Sequence, residues 1–415
     1  MPTTGIEQTN AAFERQYETA PSVVVHAPGT LTLMGEYPDH SDLPVLGICI
    51  REGLKIAAAT AEGGEIDATS IQCYGPAHLD RMGRGASAPW HAALSSAVRQ
   101  MEDVAPGSGA RLLIDGDLPV SESVGWQLAL IAGTIAALNE AWSGGLDRDE
   151  TVRRSILAAE HAGLAHAETN AALLAFAEAG KATHVEPSPA SRAQVPIPAG
   201  LRLVVAFSGE DQPDEAFTHV ARNEREAGAR LAAVMIADQV GVDLEPPFSL
   251  GDVAAIDVVD ILADGLPEKI SPVEVSHGAG VDLEQFVRLK NGQVDPMTKI
   301  SVRRVALHGL SEAERERHAE AALETGEVEA FGKLLDESHD SLRQDLRCST
   351  GALDKLCAAM RKAGAYGARL TGTGFGGFAV AAVAPERVQA VIQAATETSG
   401  GPAFEVEASE GLRLL

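Results

Sequence analysis

The chain has 415 residues, with 59 acidic against 33 basic side chains, a formal net charge of −26 and only 4% aromatics. A hydrophobic content of 45% supports a sizeable core and argues against disorder, while the acidity argues against nonspecific binding to nucleic acid or to an anionic membrane. With no run of about 18 apolar residues and no basic leader before an apolar segment, a soluble, cytoplasmic protein is expected, its core built from Ala, Leu and Val.

The length fits two or three domains on the ~150-residue prior. A helix is expected within residues 1–20, ahead of Pro21, then a short strand at Val23-Val24-Val25 that ends at Ala27-Pro28-Gly29. From Leu46 to Thr60 two strand-like runs flank an apparent turn at Arg51-Glu52-Gly53, and residues 111–115 read as a further strand. Leu128, Ile131, Ile135, Leu138 and Trp142 fall at helical spacing, and helices follow at about 150–163 and 168–179. Four prolines within 187–200 mark the expected boundary between domains at 1–190 and 200–415.

In the second half, Leu201–Phe207 reads as a strand and 213–238 as a long helix. The stretch 240–300, with Pro246-Pro247 and several glycines, reads as short helices and loops, one insertion. Ser311-Glu312-Ala313-Glu314 has the form of a capping box that opens a helix. Helices follow at 327–346 and 350–363, the latter closed by Gly364. Strands and helices mix without a regular βαβ rhythm, so the expected class is α+β in two domains. Cys49, Cys73, Cys348 and Cys357 form no CxxC pair or zinc spacing, so buried thiols and no metal are expected.

Two segments carry the chemistry. Thr371-Gly372-Thr373-Gly374-Phe375-Gly376-Gly377-Phe378, followed by the apolar run Ala379–Val383, is a glycine loop ahead of a buried strand. Such a loop either presents backbone N–H groups to phosphate or serves as a tight turn. Near the N-terminus, Gly35-Glu36-Tyr37-Pro38-Asp39-His40 places two carboxylates three residues apart in a turn, suited to accept bonds from sugar hydroxyls.

Together these segments resemble the galactokinases of the GHMP small-molecule kinase family. The first is similar to the family's Gly-Glu-His-x-Asp-Tyr motif after Ala-Pro-Gly, the second to its Thr-Gly-x-Gly-Phe-Gly-Gly loop. The stretch from Glu337-Ser338-His339 to the glycine loop is similar as well. The resemblance implies a two-domain GHMP kinase fold with the ligand cleft between domains. It implies Glu36, Asp39 and His40 as sugar or polyol ligands, and Gly372, Gly374, Gly376 and Gly377 as nucleotide contacts. ATP and Mg²⁺ are the implied cofactors of an active member.

Several positions depart from the family pattern. The Arg after Ala-Pro-Gly is Thr30 here, and the phosphate loop Gly-x-Gly-Leu-Ser-Ser-Ser-Ala is matched by Ser121-Glu122-Ser123-Val124-Gly125-Trp126-Gln127-Leu128. Ser121 and Ser123 read either as phosphate contacts or as caps of the helix that begins near Gly125. The general-base Asp is matched by Asn170, which cannot accept a proton; Glu168 is the nearest substitute. The sugar-contacting Tyr is matched by Thr218. The expected function is a sugar phosphotransferase with altered catalytic groups. The alternatives are an inactive relative that binds a sugar or metabolite, and a different reaction on the same scaffold.

Overall fold

The structure is a computed structural model that describes residues 5–37, 41–73, 75–164, 167–186, 191–213, 215–257, 259–289 and 292–415. The fold is α+β. The chain separates into two compact units, neither of them continuous in sequence: one of Met1–Leu31, Gly47–Thr183 and Val406–Leu415, the other of Thr32–Leu46 and His184–Glu405. Among the described residues no helix is long and apolar enough to cross a membrane.

The sheet of the first unit runs in the order Arg413–Leu414, Val23–Met34, Val45–Ala61, Gly109–Gly116, Glu65–Ser70, Ala77–Asp80. Both long strands correct the sequence reading. The strand expected to stop at Ala27-Pro28-Gly29 continues to Met34, and its glycine meets a packing need: a Cβ on Gly29 would sit 2.4 Å from Leu118 Cδ1. The expected turn at Arg51-Glu52-Gly53 lies inside one strand of 17 residues. Gly53 allows close approach there, since a Cβ would lie 2.7 Å from the Ala27 carbonyl, and its N–H donates to Asp117 Oδ1 at 3.0 Å.

The helix Trp126–Ala141 has apolar residues on nearly every face and is buried almost all round. A short 3₁₀ turn, Glu122–Val124, leads into it through Gly125 at φ +71°. The helices Arg148–His161 and Ala167–Phe176 follow. Asp147 caps the former by accepting from Glu150 N–H at 2.8 Å, with Asp149 and Glu150 in the first turn complementing the helix dipole.

The second unit centres on a four-stranded sheet, ordered Ala365–Leu370, Phe378–Val383, Arg202–Phe207, Ala403–Val406. Phe378–Val383 is buried at all six positions and pairs antiparallel with Arg202–Phe207 from Phe378↔Phe207 to Val383↔Arg202. Helices Val328–Ser341, Gly351–Lys362 and Val388–Ser399 pack on this sheet. Buried Leu, Val, Ala and Met of the last two helices join Glu215–Val240 and Arg303–Thr325 in one core, with few aromatics in it.

The capping box expected at Ser311 is overturned. The helix starts at Arg303 and runs through to Thr325, and Ser311 Oγ donates back to the Leu307 carbonyl at 2.6 Å. A Ser four residues from a helical carbonyl satisfies itself without ending the helix, a use that the local motif does not distinguish from a cap.

Candidate functional site

In the second unit the Gly-Glu-Tyr turn and the glycine loop are locked together. Glu36 Oε1 accepts from the Gly372 N–H at 2.8 Å, and Tyr37 Oη donates to the Thr373 carbonyl at 2.5 Å. Thr371 Oγ1 donates to the Thr32 carbonyl at 3.2 Å. Gly372, Gly374, Gly376 and Gly377 all have φ between +75° and +124°, which only glycine adopts without strain.

Two aromatics share that strain, Tyr37 at φ +62° and Phe375 at φ +59°. A bulky residue held there costs on the order of 1–3 kcal/mol and persists only where its surroundings fix it. Arg225 is the common neighbour: its guanidinium lies 5.6 Å from the Tyr37 ring centre and 5.2 Å from that of Phe375.

Beneath the loop is a buried charge cluster. Arg369, fully buried, sits 2.9 Å from Glu36 Oε1 and 3.3 Å from Glu312 Oε1, and donates to the Leu33 carbonyl at 3.1 Å. Glu312 Oε1 also accepts from Gly35 N–H at 3.1 Å and Ser338 Oγ at 2.7 Å, and its other oxygen pairs with Arg315 at 2.8 Å. Burial pushes the Glu312 carboxyl up, but Arg315 and Arg369 outweigh it and hold it at about 2. Burial pulls His308 and His339 down to about 4, so both are neutral near pH 7. Sequence reasoning gave Arg369 and Glu312 no role. The available signal was an arginine directly ahead of a glycine loop and an apolar strand, where a buried guanidinium demands a carboxylate.

The loop's amides are largely engaged within the protein. Besides Gly372, Phe375 N–H donates to the Cys348 carbonyl at 2.6 Å and Gly377 N–H to the Glu210 carbonyl at 2.8 Å. Glu36 is itself buried, with its carboxylate in the charge cluster. Asp39 and His40 lie outside the described residues. Thr218, at the position of the family Tyr, is buried in Glu215–Val240.

In the first unit, Thr30 is buried in its strand, and its hydroxyl has no protein partner. Gly125 packs directly on it: a Cβ there would lie 2.1 Å from Thr30 Oγ1. The turn at 121–126 closes on itself. Ser123 N–H donates to Ser121 Oγ at 3.2 Å, Val124 and Trp126 N–H to the Ser121 carbonyl at 3.4 and 3.2 Å, and Gly125 N–H to the Glu122 carbonyl at 3.0 Å. Four successive amides are thereby engaged inside the turn, and the side chain between the two serines is a carboxylate. As arranged, these residues do not fit a magnesium triphosphate, which needs free amides and a cationic or metal-binding surround. Trp126 Nε1 donates to Gln72 Oε1 at 3.2 Å, which fixes the indole at the helix start. Glu168 and Asn170 are both within Ala167–Phe176, the first exposed and the second half-buried, about 200° apart around the axis.

Two family models match the chain: GHMP kinases C terminal over residues 319–399, and the galactokinase galactose-binding signature over residues 11–60. The galactokinase of Chloroflexus aggregans is 29% identical over 400 residues, covering 92% of this chain and 90% of the relative. That of Streptomyces coelicolor is 26% identical over 422 residues, covering 97% of each. Among solved structures, Lactococcus lactis galactokinase complexed with galactose aligns at a TM-score of 0.77, covering 99% of this chain and 100% of that one, at 22% identity. The Methanococcus jannaschii mevalonate kinase aligns at 0.62, covering 94% and 98%, at 14% identity. The fold is thus the two-domain α+β fold of the GHMP kinases. Within that class, the sequence is galactokinase-like over nearly the whole chain.

Proposed function

We propose that this chain is a sugar-binding protein of galactokinase type in which ordinary ATP-dependent phosphoryl transfer is lost or greatly weakened. The sugar half of the reading is carried by the match of residues 11–60 to a galactose-binding signature. Asp39 and His40 are the residues we assign to the sugar hydroxyls. Glu36 is a positioning residue, since its carboxylate holds the glycine loop through Gly372 and pairs with Arg369.

The other half is supported by the closed turn at Ser121–Trp126. Phosphoryl transfer is accelerated almost wholly by positioning and electrostatic stabilisation. Thr30 supplies no charge where the family has an arginine, Asn170 supplies no base, and Glu122 adds a negative charge. At about 4 Å, a carboxylate opposes a phosphate charge by roughly 1–4 kcal/mol, depending on the effective dielectric.

A second reading, a divergent ATP- and Mg²⁺-dependent sugar phosphotransferase, is favoured by similarity to galactokinases along 92% of the chain and by the retained glycine loop. One pair of measurements separates the two. Thermal shift against free monosaccharides and polyols should raise the melting temperature with at least one of them, because a ligand of the native state stabilises by RT ln(1 + [L]/Kd). Calorimetry with ATP–Mg²⁺ should be flat. A low-micromolar nucleotide constant with sugar phosphate formed would establish the second reading. Failure of every sugar and polyol to bind would remove the first.

A further inference from the structure

On the strand Lys181–Glu186 and the long helix Arg303–Thr325, well apart in sequence from the glycine loop, lies a second group of chemistry-bearing side chains. His184 Nδ1 is 2.8 Å from Glu316 Oε1 and 3.6 Å from Glu320 Oε2, and its Nε2 is 3.6 Å from Glu186 Oε1. Ligand atoms of His184, Glu316 and Glu320 all lie within 4.8 Å of one another. We propose that His184, Glu316 and Glu320 form a binding site for a divalent first-row cation of the zinc class, which ties this strand to the helix.

Three observations carry this. The first is spacing. Glu316 and Glu320 are four residues apart on one helix face, and His184 faces both. Ligands ~2.0–2.1 Å from a tetrahedral ion stand about 3.3–3.4 Å from each other. The observed 2.8 and 3.6 Å bracket that separation, and all three ligand atoms lie within 4.8 Å of one another.

The second is an orphaned atom. Glu316 is fully buried, and its Oε2 has no hydrogen-bond partner in the protein. A buried carboxylate oxygen left without a donor is costly, a deficit that coordination of the carboxylate to a metal ion removes.

The third is charge. Glu186, Glu316 and Glu320 surround one imidazole, and Glu324 adds a further charge beside Glu320. A protonated His184 offsets only one of these charges. Imidazole with carboxylates suits zinc better than the all-oxygen sets that calcium and magnesium prefer. With Nδ1 on the metal, Nε2–H faces Glu186, the carboxylate–histidine–metal arrangement that orients a ligating ring. Solvent would complete the coordination.

The test is a zinc titration of the full chain, freed of metal by a chelator, against a chromophoric competitor, with the cobalt(II) visible spectrum as a second readout. One equivalent should bind with a constant below about 10 μM, and zinc should raise the melting temperature. Glu320→Gln, at a partly exposed position, should fold normally, weaken binding at least tenfold and alter the cobalt spectrum. His184→Gln should do the same. The absence of stoichiometric binding to the wild-type chain would overturn the proposal, as would binding unchanged in both variants.

Discussion

Two regions that resemble one family's motifs are held together in opposite ways. In the second unit, the Gly35–Tyr37 turn and the glycine loop are joined through Glu36, which with Arg369 and Glu312 forms a buried network. In the first unit, Thr30 and the Ser121–Trp126 turn are neutral at the family's cationic position and closed by backbone bonds. A buried ion network resists piecemeal change, because removing one member strands another charge without solvent. The Ser121–Trp126 turn has no such linkage between charges and is held by hydrogen bonds within itself. The difference is between a motif pair held by linked buried charges and a turn closed by local backbone bonds.

The largest expected effect tests that linkage. Arg369→Met removes the only guanidinium that touches both Glu36 and Glu312 among the described residues and leaves two buried carboxylates short of a partner. Breaking a buried pair costs about 3–5 kcal/mol. Urea unfolding should show a loss of that size, and a loss under about 1 kcal/mol would mean that the network does not hold the loop. Simultaneous Glu36→Gln should recover part of the loss, since the two residues share one interaction.

Acid should expose the same region next. His308 and His339 are held at about 4 by burial, whereas an unfolded His titrates near ~6.5. The unfolded chain takes up those protons first, so the stability from neutral burial is complete above pH ~6.5 and declines as pH falls from ~6.5 to ~4. Each group contributes at most roughly 3 kcal/mol over that window. Glu312, held at about 2, adds a further loss only below the ordinary carboxylate range. Denaturation midpoints at pH 7, 5.5 and 4 check this; a flat profile between 7 and 4.5 would show that neither histidine titrates with folding.

In the first unit the corresponding probe is Gly125→Ala. Its φ of +71° and the 2.1 Å approach of a new Cβ to Thr30 Oγ1 both oppose the change. A loss of about 1–3 kcal/mol is expected, less than for Arg369, because a turn can shift where a buried ion pair cannot. A substitution of Thr30 by Ala should relieve part of the clash, and lack of any such coupling in a double-mutant cycle would mean that the two positions are independent.

The sequence was legible where pattern and local chemistry agree. The helix expected over 350–363 shows its period, and Leu353, Leu356, Cys357 and Met360 are its buried face, with Gly364 at φ +107° just beyond its end. The strand Phe378–Val383 reads as a continuous apolar run because it is covered on both faces. Pattern failed where distant packing decides. Gly29 and Gly53 look like turn residues but lie within long strands, because each meets another chain segment too close for a Cβ. Ser311 looks like a cap because its three-residue spacing to Glu314 is the same in mid-helix. The motif pair at Glu36 and Gly372 was visible, but the partnership with Arg369 and Glu312 was not. Charges 57 residues apart meet only in the fold, and the window around each shows just one partner.

The smallest expected effect concerns Asn170, half-buried on the helix Ala167–Phe176. Asn170→Asp should change stability by less than about 0.5 kcal/mol, as surface-type substitutions do. It restores the one group whose chemistry the family resemblance assigns to proton abstraction, and a positioned base contributes about 10²–10⁴-fold in rate when the rest of a site is in place. Here Thr30 and the closed Ser121–Trp126 turn are unchanged by it, so sugar phosphate formation from ATP should rise less than tenfold over wild type. Glu168→Gln should be silent in the same assay, because an exposed residue about 200° around the helix does not share Asn170's surroundings. A hundredfold gain in the Asp variant would show that only the base is missing, that the turn opens to nucleotide in solution, and that the two regions differ in one residue's chemistry rather than in their whole design. A loss of turnover in Glu168→Gln would instead make that carboxylate the working base and favour the divergent kinase.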